Sequence, residues 1–124
     1  MKIGIIGGSG FEDPEFLKNT SSKQITTPYG DPSSDLILGS IADNQIVFLS
    51  RHGKKHTISP SNVNYQANIW SLKEEGCTHI LAVTACGSLR SKIKPGDFIF
   101  PDQFIDFTKK RINTFFESNE VKHT

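Results

Sequence analysis

The chain has 124 residues, with 14 Lys plus Arg against 13 Asp plus Glu and a formal net charge of +1; that length suits one domain of roughly 100–150 residues and excludes a two-domain enzyme. Hydrophobic residues at 35%, nine Phe and the lack of a long polar tract favour a buried core over disorder, and the near-neutral charge excludes the broad basic footprint of a nucleic-acid binder. The apolar stretch after Met1-Lys2 stops at Gly7-Gly8, short of the ~7–15 residues of a signal core or the ~20 of a membrane span, so no export and no membrane partner is expected.

In chain order, Lys2–Ile6 predicts a strand that enters a tight loop at Gly7-Gly8-Ser9-Gly10. Asp13-Pro14-Glu15 has the residue order of a helix start, with Asp as N-cap and Pro at the first helical position. Residues 21–34 are rich in Ser, Thr, Pro and Gly and predict irregular connection; Leu36–Ile41 and Gln45–Leu49 then predict a hairpin around Ala42-Asp43-Asn44. A basic segment, Arg51 to His56, precedes a helix expected over Val63–Glu75, with Val63, Ala67 and Trp70 on its buried face, Ile69 and Leu72 beside them, and Gly76 as its stop. Ile80–Val83 predicts a strand buried on both faces, and Phe98–Phe100 a further strand after the Lys94-Pro95-Gly96-Asp97 turn. Strands alternating with helices imply an α/β fold with a mixed, partly parallel central sheet flanked by helices. Cys77 and Cys86 each adjoin a segment that reads as buried, which predicts two reduced thiols and a cytosolic setting. From Phe107 to Thr124 the pattern fades into polar and basic residues, as in a tail or in a chain cut inside a larger fold.

Three loops carry donor chemistry, and each follows a strand. Gly7-Gly8-Ser9-Gly10 lacks the third glycine of a dinucleotide loop and the Gly-Lys-Ser/Thr of a Walker loop; what is left is a backbone able to crowd an anion with Ser9 as a hydroxyl donor, or a plain tight turn. Arg51-His52 offers a guanidinium fork and an imidazole to a phosphate or carboxylate, or forms a solvated basic loop. Thr84-Ala85-Cys86-Gly87-Ser88 lies where open α/β sheets receive ligands, and Cys86 has no identifiable base that would make it a nucleophile. His52 and His56 are four apart, but Gly53 between them and the lack of a nearby carboxylate argue against a metal. The shared denominator of the three loops is an oxyanion, most simply phosphate.

Ile5-Ile6-Gly7-Gly8-Ser9-Gly10, Arg51-His52-Gly53 with His56, Val63-Asn64-Tyr65-Gln66-Ala67-Asn68-Ile69, Thr84-Ala85-Cys86-Gly87-Ser88-Leu89, Pro95-Gly96-Asp97 and Asp102-Gln103-Phe104-Ile105-Asp106 resemble, in order and spacing, the 5′-methylthioadenosine phosphorylase family of the purine nucleoside phosphorylase superfamily. The resemblance covers nearly all of 2–106 and implies the three-layer nucleoside-phosphorylase fold, here its N-terminal part, with 107–124 as a polar truncated loop. It implies phosphorolysis of methylthioadenosine to adenine and 5-methylthioribose 1-phosphate, with phosphate as co-substrate, no cofactor and no metal. Alternatives are a phosphorylase of 6-oxopurine nucleosides and a non-catalytic product that binds full-length subunits. Carried over by position, phosphate is held by Ser9, Arg51, His52, Thr84 and the Ala85 backbone, and His56 helps shape the sugar or alkylthio pocket. The family commonly has Thr where this chain has Ser9, which keeps the hydroxyl. The family's purine-binding Asp residues have no counterpart here, so no catalytic residue is expected within the chain and 1–124 alone is expected to be poorly active. The resemblance also implies a homotrimer in the cytoplasm, the nucleus being a second location, with no nucleic-acid partner.

Overall fold

A computed structural model describes residues 1–116 of the chain. Its elements are β1 (Lys2–Gly7), β2 (Lys18–Lys23), β3 (Leu36–Ile41), β4 (Asn44–Ser50), α1 (Tyr65–Glu74) and β5 (His79–Ala82). The strands form one sheet in the order β2-β3-β4-β1-β5. β1 pairs in parallel with β4, Ile5 opposite Phe48, and in parallel with β5, Ile5 opposite Leu81; β3 runs antiparallel to β2 and to β4. The sheet is therefore mixed, as the sequence implies, and α1 carries the chain from β4 past β1 to β5.

The continuous apolar run of β4 follows from its place between β3 and β1, with both faces covered. Val47 and Leu49 join Ile6, Leu36 and the helix residue Leu72 on one side of the sheet. On the other side Ile46 and Phe48 join Ile5 and Leu17. That second face is closed by the chain between β1 and β2: Phe11 stacks on Phe16 with centroids 5.1 Å apart and meets Phe48 edge-on at 5.6 Å. The helix expected at Asp13-Pro14-Glu15 does not form. Only seven residues separate Gly10 from β2, too few for a stable helix that must also return to the sheet edge, and a single turn, with the Leu17 N–H on the Pro14 carbonyl, swings Phe16 and Leu17 onto the core instead.

In α1 the Asn64 side chain caps the first turn by accepting from the Ala67 N–H. Gly76, at φ 80°, ends the helix: its N–H reaches the Lys73 carbonyl and that of Cys77 the Leu72 carbonyl. The buried stripe is Ala67, Asn68, Ser71 and Leu72, so the face is rotated from the one the apolar pattern predicts and Trp70 is half-exposed rather than core. The two polar members are satisfied. Ser71 Oγ donates to the Ala67 carbonyl, and the Asn68 amide takes the Ser33 N–H and gives to Ser33 Oγ.

Three further expectations differ. Residues 21–23, read as the start of an irregular connection, instead complete the polar edge strand β2, pinned by pairing with β3. β5, expected to be buried on both faces, is exposed along its length, and Phe98–Phe100 forms no strand. Past β5 the chain bears exposed Leu89, Phe98, Phe100, Phe104 and Phe107. Of the expected polar segment, 107–116 is irregular, and 117–124 lies outside the described residues. Among those residues no helix is long and apolar enough to cross a membrane.

Glu75, just past α1, holds Lys2 (2.8 Å) and Lys23 and so ties the helix end to β1 and the edge strand β2. Hydrogen bonds from the Lys2 and then the Lys23 ammonium lower its pKa from the ordinary carboxylate value, against an opposing desolvation. A depressed folded-state pKa makes the contribution complete above the unfolded carboxylate value and removes it as pH falls through Glu75's own lower value. Glu75→Gln is expected to reduce stability by about 0.5–1 kcal/mol at neutral pH, with the difference from wild type vanishing in acid; denaturant melts across pH 2–7 check both the size and the window.

Candidate functional site

β4, β1 and β5 are parallel, so their carboxyl ends meet at one edge of the sheet, the side where open α/β sheets receive ligands. Pairing continues one residue past each outer strand: the Arg51 N–H donates to the Gly7 carbonyl and the Val83 N–H to the Ile6 carbonyl, both at 3.0 Å. The two glycines between them serve different neighbours. A Cβ on Gly7 would lie 2.0 Å from the Phe11 carbonyl oxygen and 2.5 Å from Phe48, so that position permits the turn over the aromatic core. A Cβ on Gly8 would lie 2.2 Å from an Arg51 guanidinium nitrogen and 2.8 Å from the Val83 carbonyl oxygen. Gly8 is thus the floor on which the guanidinium rests, with Ser9 following it on one side and Thr84 following Val83 on the other.

Arg51 is half-buried, and among the described residues it has no carboxylate partner. Its Nε donates to His52 Nε2 at 3.3 Å. His52 is buried, and its other nitrogen, Nδ1, lies 2.8 Å from the Ile58 carbonyl. A carbonyl can only accept, so Nδ1 carries the proton and Nε2 is the acceptor. The imidazole therefore orients Arg51, while the His52 main-chain N–H makes no hydrogen bond among the described residues and is the donor this residue can offer an anion. Ser9, Thr84 and Ala85 are exposed, and the two hydroxyls have no partner among the described residues. All five residues singled out from the sequence thus belong to the three strand ends at this edge.

Behind this edge the Asn-Tyr-Gln-Ala-Asn run braces the basic loop. Asn64 Nδ2 donates to the Tyr29 carbonyl at 2.7 Å, Asn68 holds Ser33 through two bonds, and the next residue, Ser34, accepts the Ser50 N–H at 3.0 Å, one position before Arg51. On the solvent side Glu12, a residue no sequence pattern singles out, accepts from the Gly10 N–H and His56 Nδ1. The His56 ring also lies 4.8 Å from that of His52. A cleft of about 530 Å³ next to Glu12 and Ser50 is lined by Asp13, Glu15, Asp35 and Lys54 as well; its acidic excess repels anions, and none of the five residues named above lines it. Among the described residues no cluster of His, Cys, Asp or Glu could hold a metal. Cys77 is half-buried, with its pKa raised by burial, and Cys86 is exposed, contrary to the buried reading of its segment.

Residues 2–124 match the family model of the phosphorylase superfamily. The S-methyl-5'-thioadenosine phosphorylase of Danio rerio is 61% identical over 117 residues, 94% of this chain and 42% of its own length. That of Thermofilum pendens is 53% identical over 123 residues, 99% of this chain and 47% of its own. Among solved structures, methylthioadenosine phosphorylase from Schistosoma mansoni in complex with tubercidin superposes with a TM-score of 0.89 at 55% identity, covering 95% of this chain and 41% of that one. The chain thus spans less than half the length of these relatives.

Gly8→Ala is expected to be disruptive in two ways. The guanidinium can swing away from the new methyl, but the Val83 carbonyl belongs to the backbone of the β5 end and must be pushed aside. Overpacking of this kind costs about 1–3 kcal/mol. The substituted chain should melt at lower temperature and bind sulfate or phosphate at least about tenfold more weakly, as calorimetric titration would show.

Proposed function

This chain belongs to the phosphorylase superfamily, and from that membership we propose that it cradles inorganic phosphate for phosphorolysis of 5′-methylthioadenosine. The observation that carries the proposal is Arg51: a half-buried guanidinium without a counter-ion among the described residues, laid against Gly8 at the meeting point of three strand ends. Taking a cation partly out of water without a partner is unfavourable, and an oxyanion placed there supplies the partner.

In this reading one face of the phosphate meets the guanidinium of Arg51. Ser9 and Thr84 give hydroxyls, and the His52 and Ala85 main chains give N–H groups. As the C1′–N9 bond of the nucleoside lengthens, C1′ gains oxocarbenium character and the adjacent phosphate dianion both stabilises that charge and attacks it. The C1′–O bond forms, the C1′–N9 bond breaks with its electron pair going to adenine, and adenine takes up a proton. The products are adenine and 5-methylthioribose 1-phosphate. Backbone donors, and a guanidinium held by His52 against Gly8, need little reorganisation during the step, and holding phosphate in line replaces a chance encounter by an oriented one. No protein nucleophile enters, which leaves Cys86 a bystander, and no cofactor beyond phosphate is required. Purine and ribose recognition, and the group that protonates adenine, are assigned to the part of the relatives' length that lies beyond the match. The same resemblance supports a homotrimer in the cytoplasm.

Removing a charge-assisted contact from a desolvated site is worth about 1.5–3 kcal/mol. Arg51→Ala should therefore weaken phosphate binding by about tenfold or more, and a titration that finds the affinity unchanged sinks the cradle.

A second expectation concerns turnover. General acid catalysis contributes ~10²–10⁴-fold; the 124-residue chain alone should thus bind phosphate yet release adenine from methylthioadenosine at least about a hundredfold more slowly than one of its longer relatives assayed beside it. Equal rates would place the purine chemistry within these residues.

A further inference from the structure

We infer that Glu12 is a positioning residue that locks the glycine loop to the Arg51-His52 loop in the arrangement that receives the anion. The inference rests on the phosphate reading and adds to it the part that holds two of the three loops together.

One residue makes three attachments. Glu12 Oε1 accepts the Gly10 N–H at 3.0 Å, and the same oxygen faces His56 Nδ1 at 2.9 Å. Its main-chain carbonyl accepts the Ser50 hydroxyl at 2.7 Å. Gly10 follows Ser9, Ser50 precedes Arg51, and His56 closes the turn in which its N–H meets the Gly53 carbonyl. A path of contacts then runs from the glycine loop to the guanidinium: Gly10 to Glu12, Glu12 to His56, His56 ring against His52 ring, and His52 Nε2 to Arg51 Nε.

Two further observations favour a geometric role. A carboxylate beside a phosphate site works against the anion by Coulomb repulsion, so Glu12 contributes through the groups it holds and not through its charge. His56 sits at φ 52°, a left-handed conformation that a non-glycine residue keeps only where its surroundings fix it; here Glu12 and the His52 ring do so. The pair is also exposed enough to add little to global stability, with His56 at 50% and Glu12 at 26% side-chain exposure. Its loss should therefore be felt at the site far more than in the fold.

The experiment is a double-mutant cycle read by calorimetric titration of inorganic phosphate into the 124-residue chain, with a thermal melt of every variant. Glu12→Ala should weaken phosphate binding by about fivefold or more while the melt stays close to that of wild type. Glu12→Gln keeps an amide oxygen able to accept from Gly10 and from a neutral His56, and should restore affinity to within about twofold of wild type. His56→Ala should weaken binding, and the double variant should be no worse than Glu12→Ala alone, because both changes break one link. Full affinity in Glu12→Ala, or losses that multiply in the double variant, overturns the inference while leaving the phosphate reading intact. Should Glu12→Ala fail to fold, His56→Ala reads the same link from its other end, and wild-type affinity there overturns the inference equally. A wild-type chain that binds no phosphate overturns both.

Discussion

The contact between the Arg51 guanidinium and the unsubstituted α-carbon of Gly8 governs the rest of the site. It requires β1 to lie between two parallel neighbours, so that the chain leaving β4 and the chain arriving from β5 flank the same glycine. It requires a side chain of that length and planarity at the first position after β4, since a shorter cation would stop short of the floor. It also requires His52 to be held as the Nδ1–H tautomer by the Ile58 carbonyl, because only then is Nε2 free to accept from Arg51. The helix serves the same end at a distance: its cap Asn64 holds the Tyr29 carbonyl, its buried Asn68 holds Ser33, and the adjoining Ser34 accepts the Ser50 N–H just before Arg51.

Much of this was legible in the sequence, and the reasons differ by element. β1, β3 and β4 carry enough aliphatic residues to declare themselves, and α1 is bounded by Gly76. β2 carries none: Lys-Asn-Thr-Ser-Ser-Lys reads as loop because an edge strand whose every residue is exposed has no burial to record. The helix expected near Pro14 had the right cap residues, and the short return to β2 overrode them. Trp70 misled because size and spacing suggested the core, whereas the stripe facing the sheet includes Asn68 and Ser71, whose burial depends on a partner loop that local periodicity does not reveal. At the site, Arg51 and the glycines stand out because their place after strands has chemical meaning. Glu12 does not, for its partner His56 is 44 positions away and only the fold brings them together.

The described residues divide unevenly between covered and uncovered surface. The two faces of the sheet around β4 and β1 are packed, whereas β5 and the chain beyond it present Ile80, Leu81, Leu89, Phe98, Phe100, Phe104, Ile105 and Phe107 to solvent, Leu89 at 104%. Apolar surface on this scale is unfavourable in water and promotes association. The exposure begins within β5 itself, at Ile80 and Leu81, so the strand ends around Gly8 lie on the boundary between a packed half and an open one.

The place of β1 in the sheet also sets an order of events. Lys2–Gly7 precedes its partners along the chain, and those begin at Asn44 and His79, so Ile3 pairs with a residue 76 positions later. Non-local pairing of this kind is slow, because the intervening loop must close before any contact rewards it. On a ribosome adding ~5–20 residues each second, the β3–β4 hairpin can assemble early, while the glycine loop waits several seconds for the chain on its far side. β1 and the strand ends around Gly8 are therefore completed in one late step, once β5 has been made.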